Sequence, residues 1–332
     1  MNKLMLAVSL GLLSQAAMAE MAPIPQQSGF SGFGLLGGSY SNVNSNVVVG
    51  PKEESSRRLD SLSSHTGSDG GKADINLDLR YTFADTRTQL FLGNLIQDAV
   101  RLDFTQQFGV RQQIGNKGIL SGAFVFSGIP GEAWEDPYAV GTERQTTDRK
   151  SNGMRLGWDG IWGSQFSANY TVRKIEIEDE RSGASSSLST AEQALLDRNG
   201  NMQSIDLAYN LVGPQGSVLS PMISYSRNDA DGKASSYDRT AFQLTYALQQ
   251  AQYSLVTNFF AGQVEYDAVN PVFGRTVKAD EWGVNANFFW HNLWSVKPLS
   301  AVFSASYGNS DANVDFFDTE LSRISAGLMY RF

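Results

Sequence analysis

Residues 73–83 read Ala-Asp-Ile-Asn-Leu-Asp-Leu-Arg-Tyr-Thr-Phe. One parity holds Ala73, Ile75, Leu77, Leu79, Tyr81 and Phe83; the other holds Asp74, Asn76, Asp78, Arg80 and Thr82. A helix would scatter these residues around its axis, whereas a strand places one set on each face. The run is also as long as the roughly 9–11 residues that a tilted strand needs to cross a bilayer.

The same period continues along the chain. Leu102, Phe104, Phe108 and Val110 alternate with Arg101, Asp103, Thr105, Gln107 and Arg111. Phe166 to Val172, Ile205 to Leu211, Phe242 to Leu248, Trp282 to Trp290 and Leu299 to Tyr307 repeat it. Short connections (84–87, 115–118, 159–163, 213–216, 249–251, 291–298) alternate with longer ones (50–72, 129–150, 181–201, 229–233, 268–277, 309–317). Short periplasmic turns opposite long surface loops are the pattern of a transmembrane barrel. Of nine prolines, only Pro221 falls inside a strand, as a hydrogen-bonded ladder requires. The reading is all-β: an antiparallel up-and-down transmembrane β-barrel of about 14 strands, with 12 or 16 also compatible.

A soluble sandwich also alternates, but it hides its apolar faces. Three features favour the inverted arrangement. The apolar parity of the runs beginning at 73, 205, 242, 282 and 299 carries no charge, and a midplane Arg or Lys there would cost roughly 2–4 kcal/mol. Aromatics collect at the ends of runs (Tyr81, Phe83, Trp158, Trp162, Tyr209, Tyr246, Tyr253, Trp290, Trp294), where amphipathic rings suit headgroups. The polar parity holds Asp, Arg, Asn, Gln, Ser and Gly, as a wet lumen would.

Composition agrees. Mean hydropathy is −0.26, and beyond Leu13 no apolar run approaches the ~20 residues of a spanning helix. The 332 residues carry a net charge of −8, which argues against a nucleic-acid partner. Residues 1–19 have the form of a signal peptide: Lys3, an apolar Leu4 to Leu13, and the cleavage pattern Ala17-Met18-Ala19. Residues 20–29 read as a periplasmic lead-in too short for a plug domain, and 30–332 as the barrel. With no cysteine, an exported chain cannot use disulfides, and closed backbone pairing must supply stability.

The last strand contains Ser325, Gly327, Tyr330 and Phe332. These fill the polar-x-Gly-x-x-aromatic-x-aromatic pattern with a terminal Phe, and here the chain resembles the outer-membrane β-barrel proteins of Gram-negative bacteria. It is porin-like without the signatures of a trimeric porin, and looks closer to uncharacterised gammaproteobacterial barrel families. The resemblance implies outer-membrane localisation, lipid and lipopolysaccharide as surroundings, and reading of the Ser325, Gly327, Tyr330, Phe332 segment by the barrel-assembly machinery.

Catalytic, cofactor and metal candidates are weak. His65 lies in the flexible run Ser63 to Asp69, whereas triads need rigid elements. His291 stands in a turn beside Trp290 and reads as an interfacial residue. Without cysteine, a Cys/His metal site is impossible. Glu176, Glu178, Asp179 and Glu180 read as a charged rim, and Asn228 to Gly232 as a tight surface turn. Gly29 to Gly34 lacks the βαβ context of a nucleotide loop. No cofactor is expected and no enzymatic activity. Ser189 and Glu192 form a capping-box pair opening a short helix in the loop 181–201, expected to pack on the rim.

The inward parity predicts a pore lining of Asp74, Asp78, Arg80, Arg101, Asp103, Arg111, Arg155, Arg173, Asp206, Glu281, Arg323 and Arg331. The expected function is a passive channel for small hydrophilic solutes; the alternative is a surface-display or adhesion barrel binding an external partner through its long loops. The acidic overall balance hints at cation preference. Deleting Phe332 is expected to impair assembly; the measure is the fraction of membrane-inserted protein whose gel mobility changes on heating.

Overall fold

The computed structural model describes residues 23–63, 65–98 and 103–332. Residues 1–19, read above as a signal peptide, lie outside the described residues. Fourteen strands form one antiparallel wall: β1 Gly29–Ser45, β2 Gly67–Phe83, β3 Thr88–Asp98, β4 Asp103–Gln113, β5 Ile119–Phe126, β6 Thr146–Asp159 and β7 Phe166–Ile177, followed by β8 Gly200–Tyr209, β9 Ser217–Ala230, β10 Tyr237–Gln249, β11 Tyr253–Asn270, β12 Arg275–His291, β13 Leu299–Ala312 and β14 Thr319–Arg331. Two short segments, Gly131–Trp134 and Leu211–Val212, continue β5 and β8 along their neighbours β6 and β9. Each strand pairs with the next in sequence, and β14 pairs with β1 from Phe33↔Arg331 to Ser45↔Thr319. The wall is thereby closed.

The alternation of residues 73–83 resolves as the sequence requires. Asp74, Asn76, Asp78, Arg80 and Thr82 are buried, while Ile75, Leu77 and Phe83 are exposed. A solvent-exposed belt of large apolar side chains surrounds the barrel, including Leu36, Phe124, Leu156, Ile223, Phe303 and Ile324. No soluble protein presents apolar surface on this scale; acyl chains are its natural solvent. Rings close the lower edge of the belt: Phe30 against Tyr81, and Tyr81 against Phe83, each at 4.8 Å, and Trp158 against Trp162 at 5.1 Å. At the upper edge, outward tyrosines donate to acids above them. Tyr40 donates to Asp69, Tyr225 to Asp238 at 2.6 Å and Tyr307 to Glu320 at 3.2 Å. The ring is the apolar part and the hydroxyl the wet part, as an interface asks.

Two of the short turns repeat one motif. After Trp158 and after Trp290 the chain makes a 3-10 turn in which a second tryptophan, Trp162 or Trp294, adopts a positive φ of 54° or 52°. Both indoles are among the most exposed side chains, at 67% and 75%. Bulky residues rarely take this conformation, and the turn uses it to aim the ring outward.

Pro221 shows the consequence of a missing donor. Pairing of β9 with β8 stops at Met222↔Ala208 and resumes with Leu219↔Leu211. In the gap, Ser220 Oγ donates to Asn210 Oδ1 at 2.7 Å.

Several loop bounds differ from those read in the sequence. β2 begins at Gly67 rather than after 72, β6 at Thr146 rather than after 150, and β13 runs on to Ala312. In these upper extensions the outward face is no longer apolar and inward residues such as Ser68, Thr147 and Ser310 are small and polar, so the alternation that marks a strand is lost. Arginine at Ala286, midway between Trp282 and Trp290 on the lipid face, is expected to cost about 2–4 kcal/mol. Arginine at lumen-facing Ser306 should cost less than about 1 kcal/mol; denaturant unfolding from vesicles measures both.

Candidate functional site: the lumen and its roof

The inward residues are stratified. At the end of the short turns, Phe33, Leu35, Phe289, Val302 and Met329 form a buried apolar cluster. Above it the wall made by β12, β13, β14 and β1 is small and polar. The pairs Asn287↔Ser304, Asn285↔Ser306, Ser304↔Ser325 and Ser39↔Ser325 all belong to this layer. Long charged side chains from the rest of the wall are spread along the lumen, with Arg80 and Arg111 near the short turns and Arg239 near the long loops. Arg80 binds Asp78 through Nε at 2.7 Å and Nη2 at 3.0 Å. Arg111 lies 3.8 Å from Asp159 and donates to Gln89 at 3.1 Å. Arg239 Nε meets Glu281 at 2.7 Å, with its guanidinium 5.9 Å from the Phe260 ring. Arg173 donates to Ser151 Oγ at 2.9 Å, and Asp206 accepts from Ser224 at 2.7 Å.

One pair spans the closing seam. Arg323 of β14 reaches across β1 to Asp74 of β2, with Nη2 2.5 Å from Oδ1. Ser39 of β1 donates to the same oxygen at 3.2 Å. Side chains no larger than serine at positions 37 to 41 on the inner face of β1 leave the arginine its path.

Of the predicted lining, Asp74, Asp78, Arg80, Arg111, Arg173, Glu281 and Arg323 are buried on the inner face, and Arg155, Asp206 and Arg331 are half-buried there. Arg101 and the side chain of Asp103 lie outside what the structure describes. Arg239 and Asp159 belong to the lining and were not read from the sequence. The clear alternation of β10 starts only at Phe242, and Asp159 had been placed in a turn. Counting these described residues, seven arginines (80, 111, 155, 173, 239, 323, 331) face five carboxylates (74, 78, 159, 206, 281). Among these residues the acidic excess of the chain is absent; it lies largely in the loops.

His291 is also corrected. It is 6% exposed on the inner face, flanked by Ser254 Oγ at 2.6 Å and Ser300 Oγ at 3.1 Å. It is not an interfacial residue. His65 is not a simply solvated one: its Nε2 lies 2.6 Å from the Asp315 carbonyl and ties the first loop to the last.

The long loops fold together over the mouth. Leu59, Tyr138, Leu196, Ala234, Val314 and Phe316, from five separate loops, share one buried cluster with Tyr237, Val264, Val277, Ala279 and Ala312 of the inner wall. The capping box forms as read, with Ser189 Oγ accepting from the Glu192 amide. Its helix α1 (Thr190–Ala194) leads into Leu196, which is fully buried in this cluster. The loop is thereby anchored over the mouth rather than lying on the rim alone. Burial pushes the Tyr138 phenol well up from its ordinary range. The carboxylate run below the loop is partnered: Glu176 by Lys174 at 2.6 Å, Glu178 by Lys150 at 3.1 Å and Glu180 by Arg198 at 2.7 Å.

Arg144 locks the roof. It donates to the carbonyls of Asn46 at 2.7 Å, Ser56 at 2.5 Å and Pro137 at 3.3 Å, and its guanidinium lies 4.1 Å from the Trp134 ring centroid. Burial draws its pKa down to about 10, so it stays charged at neutral pH. Beneath the roof lies a cavity of about 690 Å³, with mostly apolar walls and with Glu281 and Arg323 among its lining.

A closed wall with lipid-facing apolar residues around a charged interior defines a transmembrane β-barrel of the outer-membrane type. The chain belongs to the family described as a protein of unknown function (DUF2860), whose model matches residues 29–331. No curated protein matches it. Among solved structures it is similar to the outer membrane channel DcaP of Acinetobacter baumannii, at 10% identity over 92% of this chain and 97% of that one, with a TM-score of 0.44. It is also similar to an anion-selective porin from Comamonas acidovorans (10% identity, 92% and 100% covered, TM-score 0.40). A third is OmpT of Vibrio cholerae (8% identity, 90% and 97% covered, TM-score 0.41).

Arg144→Ala removes hydrogen bonds of a charged donor, each contributing roughly 1.5–3 kcal/mol. It is expected to make the loops 46–66 and 127–145 at least tenfold more sensitive to protease, while the barrel keeps its heat-dependent gel mobility.

Proposed function

We propose that the protein is a passive outer-membrane channel for small polar solutes, without enzymatic activity. The observation that carries this reading is the inverted polarity: a closed hydrocarbon-facing wall around a layer of ion pairs and small polar residues. A barrel of about eight strands fills with its own side chains, and one of sixteen or more leaves a channel. Fourteen strands leave a narrow lumen, and mixed charge inside it favours hydrated polar molecules over lipids. Residues 1–19 serve as the export signal in this reading, and the segment ending in Phe332 is recognised by the assembly machinery of a Gram-negative envelope. Lipid and lipopolysaccharide surround the belt.

The surface-display alternative finds less support. Leu59, Tyr138, Leu196 and Phe316, the apolar residues a partner would need, are spent on the roof.

Purified protein in planar bilayers should give discrete conductance steps; heat-modifiable, inserted protein that never conducts would sink the channel reading. Glu281→Gln leaves Arg239 facing the lumen without its carboxylate. Reversal potentials across a salt gradient should then shift towards anion selectivity, and an unchanged potential would remove Glu281 from the conducting path.

A further inference from the structure

The wall is not uniformly paired. β2 pairs with β1 along its whole length, from Gly29↔Thr82 to Asn44↔Gly67. With β3 it pairs only from Phe83↔Thr88 to Leu79↔Leu92. Above that point, among the described residues, the two strands are not paired. The departure falls at Gly93, where the Asp78 carboxylate sits so close that a Cβ would lie 2.9 Å from Oδ2. The unpaired stretch of β2 carries Ile75 and Leu77, both lipid-facing, so the parting lies within the outer half of the membrane belt.

β3 and β4 stay paired to each other, and β4 stays paired to β5 up to Gln106↔Phe126, so the wall parts on the β2 side of this hairpin. Phe104 and Gln106 have the parity of Phe108 and Val110, which are exposed to lipid. Yet Phe104 packs with Val43, Val48 and Leu321, a cluster of the lumen and first loop. Phe104 and Gln106 also border the cavity, as does Lys72 on the inner face of β2, with no described β3 residue between them. The cavity thus touches the outward-parity face of β4, and there the interior and the lipid side meet. Open strand edges are not left bare in hydrocarbon, and a guest with both polar and apolar character suits this one.

We infer that the cavity is a binding site for an amphipathic molecule, an apolar chain with a small polar head, which moves between the outer leaflet and the lumen through the parting of β2 and β3. Its volume of about 690 Å³ is that of an ordinary ligand pocket. Ile175, Ile177, Val277 and Leu321 offer the chain an apolar bed, and Lys72, Glu281 and Arg323 offer the head polar partners. The inference adds a lateral route to the axial one proposed above and does not depend on it.

The chain has no cysteine, so cross-linking has a clean background. In folded protein in vesicles, Tyr81→Cys with Leu90→Cys, a paired position, should oxidise to a disulfide. Leu77→Cys with Asn94→Cys, opposite each other only if the ladder continued, should stay reduced. Equal oxidation of both pairs would mean a continuous wall and overturn the lateral route. For binding, Val48→Trp should show added emission that 11-bromoundecanoate quenches saturably. Undecanoate should compete and propionate should not. Ile175→Asp, or Leu321→Gln if that variant does not fold, should weaken the quenching at least tenfold. Quenching that rises without saturation, or that both variants leave unchanged, would overturn the site. Conductance steps without saturable quenching would remove this inference and leave the channel standing; quenching without steps would do the reverse.

Discussion

In hydrocarbon every backbone amide and carbonyl needs a partner within the protein. Closure of the wall is the condition on which everything else here rests; the meeting of β14 with β1 makes it a ring, in which, among the described residues, the upper stretch between β2 and β3 stands unpaired. The seam is reinforced from inside. Gly37, Ser39 and Ser41 on β1 leave space above the backbone, and through that space Arg323 reaches Asp74 two strands away. Small residues at the seam are thus not empty positions. They let a charge-assisted bond cross the strand that completes the ring, in a setting where such bonds are stronger than neutral ones.

The interior follows from what each depth must satisfy. Along the lumen the arginines bind groups of their own or nearby strands, Arg80 to Asp78, Arg111 to Gln89 and Arg239 to Glu281, while the wall from β12 to β1 offers serine and asparagine. The upper end, beyond the bilayer, is apolar inside, because the loops need something to fold onto. Tyr138 shows this arrangement: it stacks on Phe316 at 5.1 Å and accepts from Asn270 at 3.1 Å, joining two loops and the end of β11. Ion pairs along the lumen and a roof of hydrocarbon above give the molecule two solvents in series along one axis.

Much of this was legible in the sequence, for identifiable reasons. The stretch from Ala73 to Phe83 carries its two faces in a period of two, so both the strand and its orientation could be read. The Ser189 and Glu192 pair is a local signal and gave the helix start. The roof could not be read, since Leu59, Leu196 and Phe316 are isolated apolar residues in polar loops and acquire meaning only when brought together. Arg144 gave no signal, because its partners are main-chain carbonyls that no sequence motif encodes. The outward parity of Phe104 is legible in the sequence. That parity did not reveal that the wall parts on the β2 side of the hairpin, which depends on pairing lost between β2 and β3 rather than on any residue type. His291 was placed outside because of its tryptophan neighbour, although adjacent strand residues face opposite ways.

The turns holding Trp162 and Trp294 join β6 to β7 and β12 to β13, so they stand six strands apart on a ring of fourteen, almost across a diameter. Each spends roughly 1–3 kcal/mol of backbone strain to hold an indole at a fixed height. Two such points on opposite flanks level the cylinder as well as set its depth. A bilayer that thins or tilts must then either carry both rings with it or bend the wall between them. The compliant place in that wall is where β2 and β3 already stand apart.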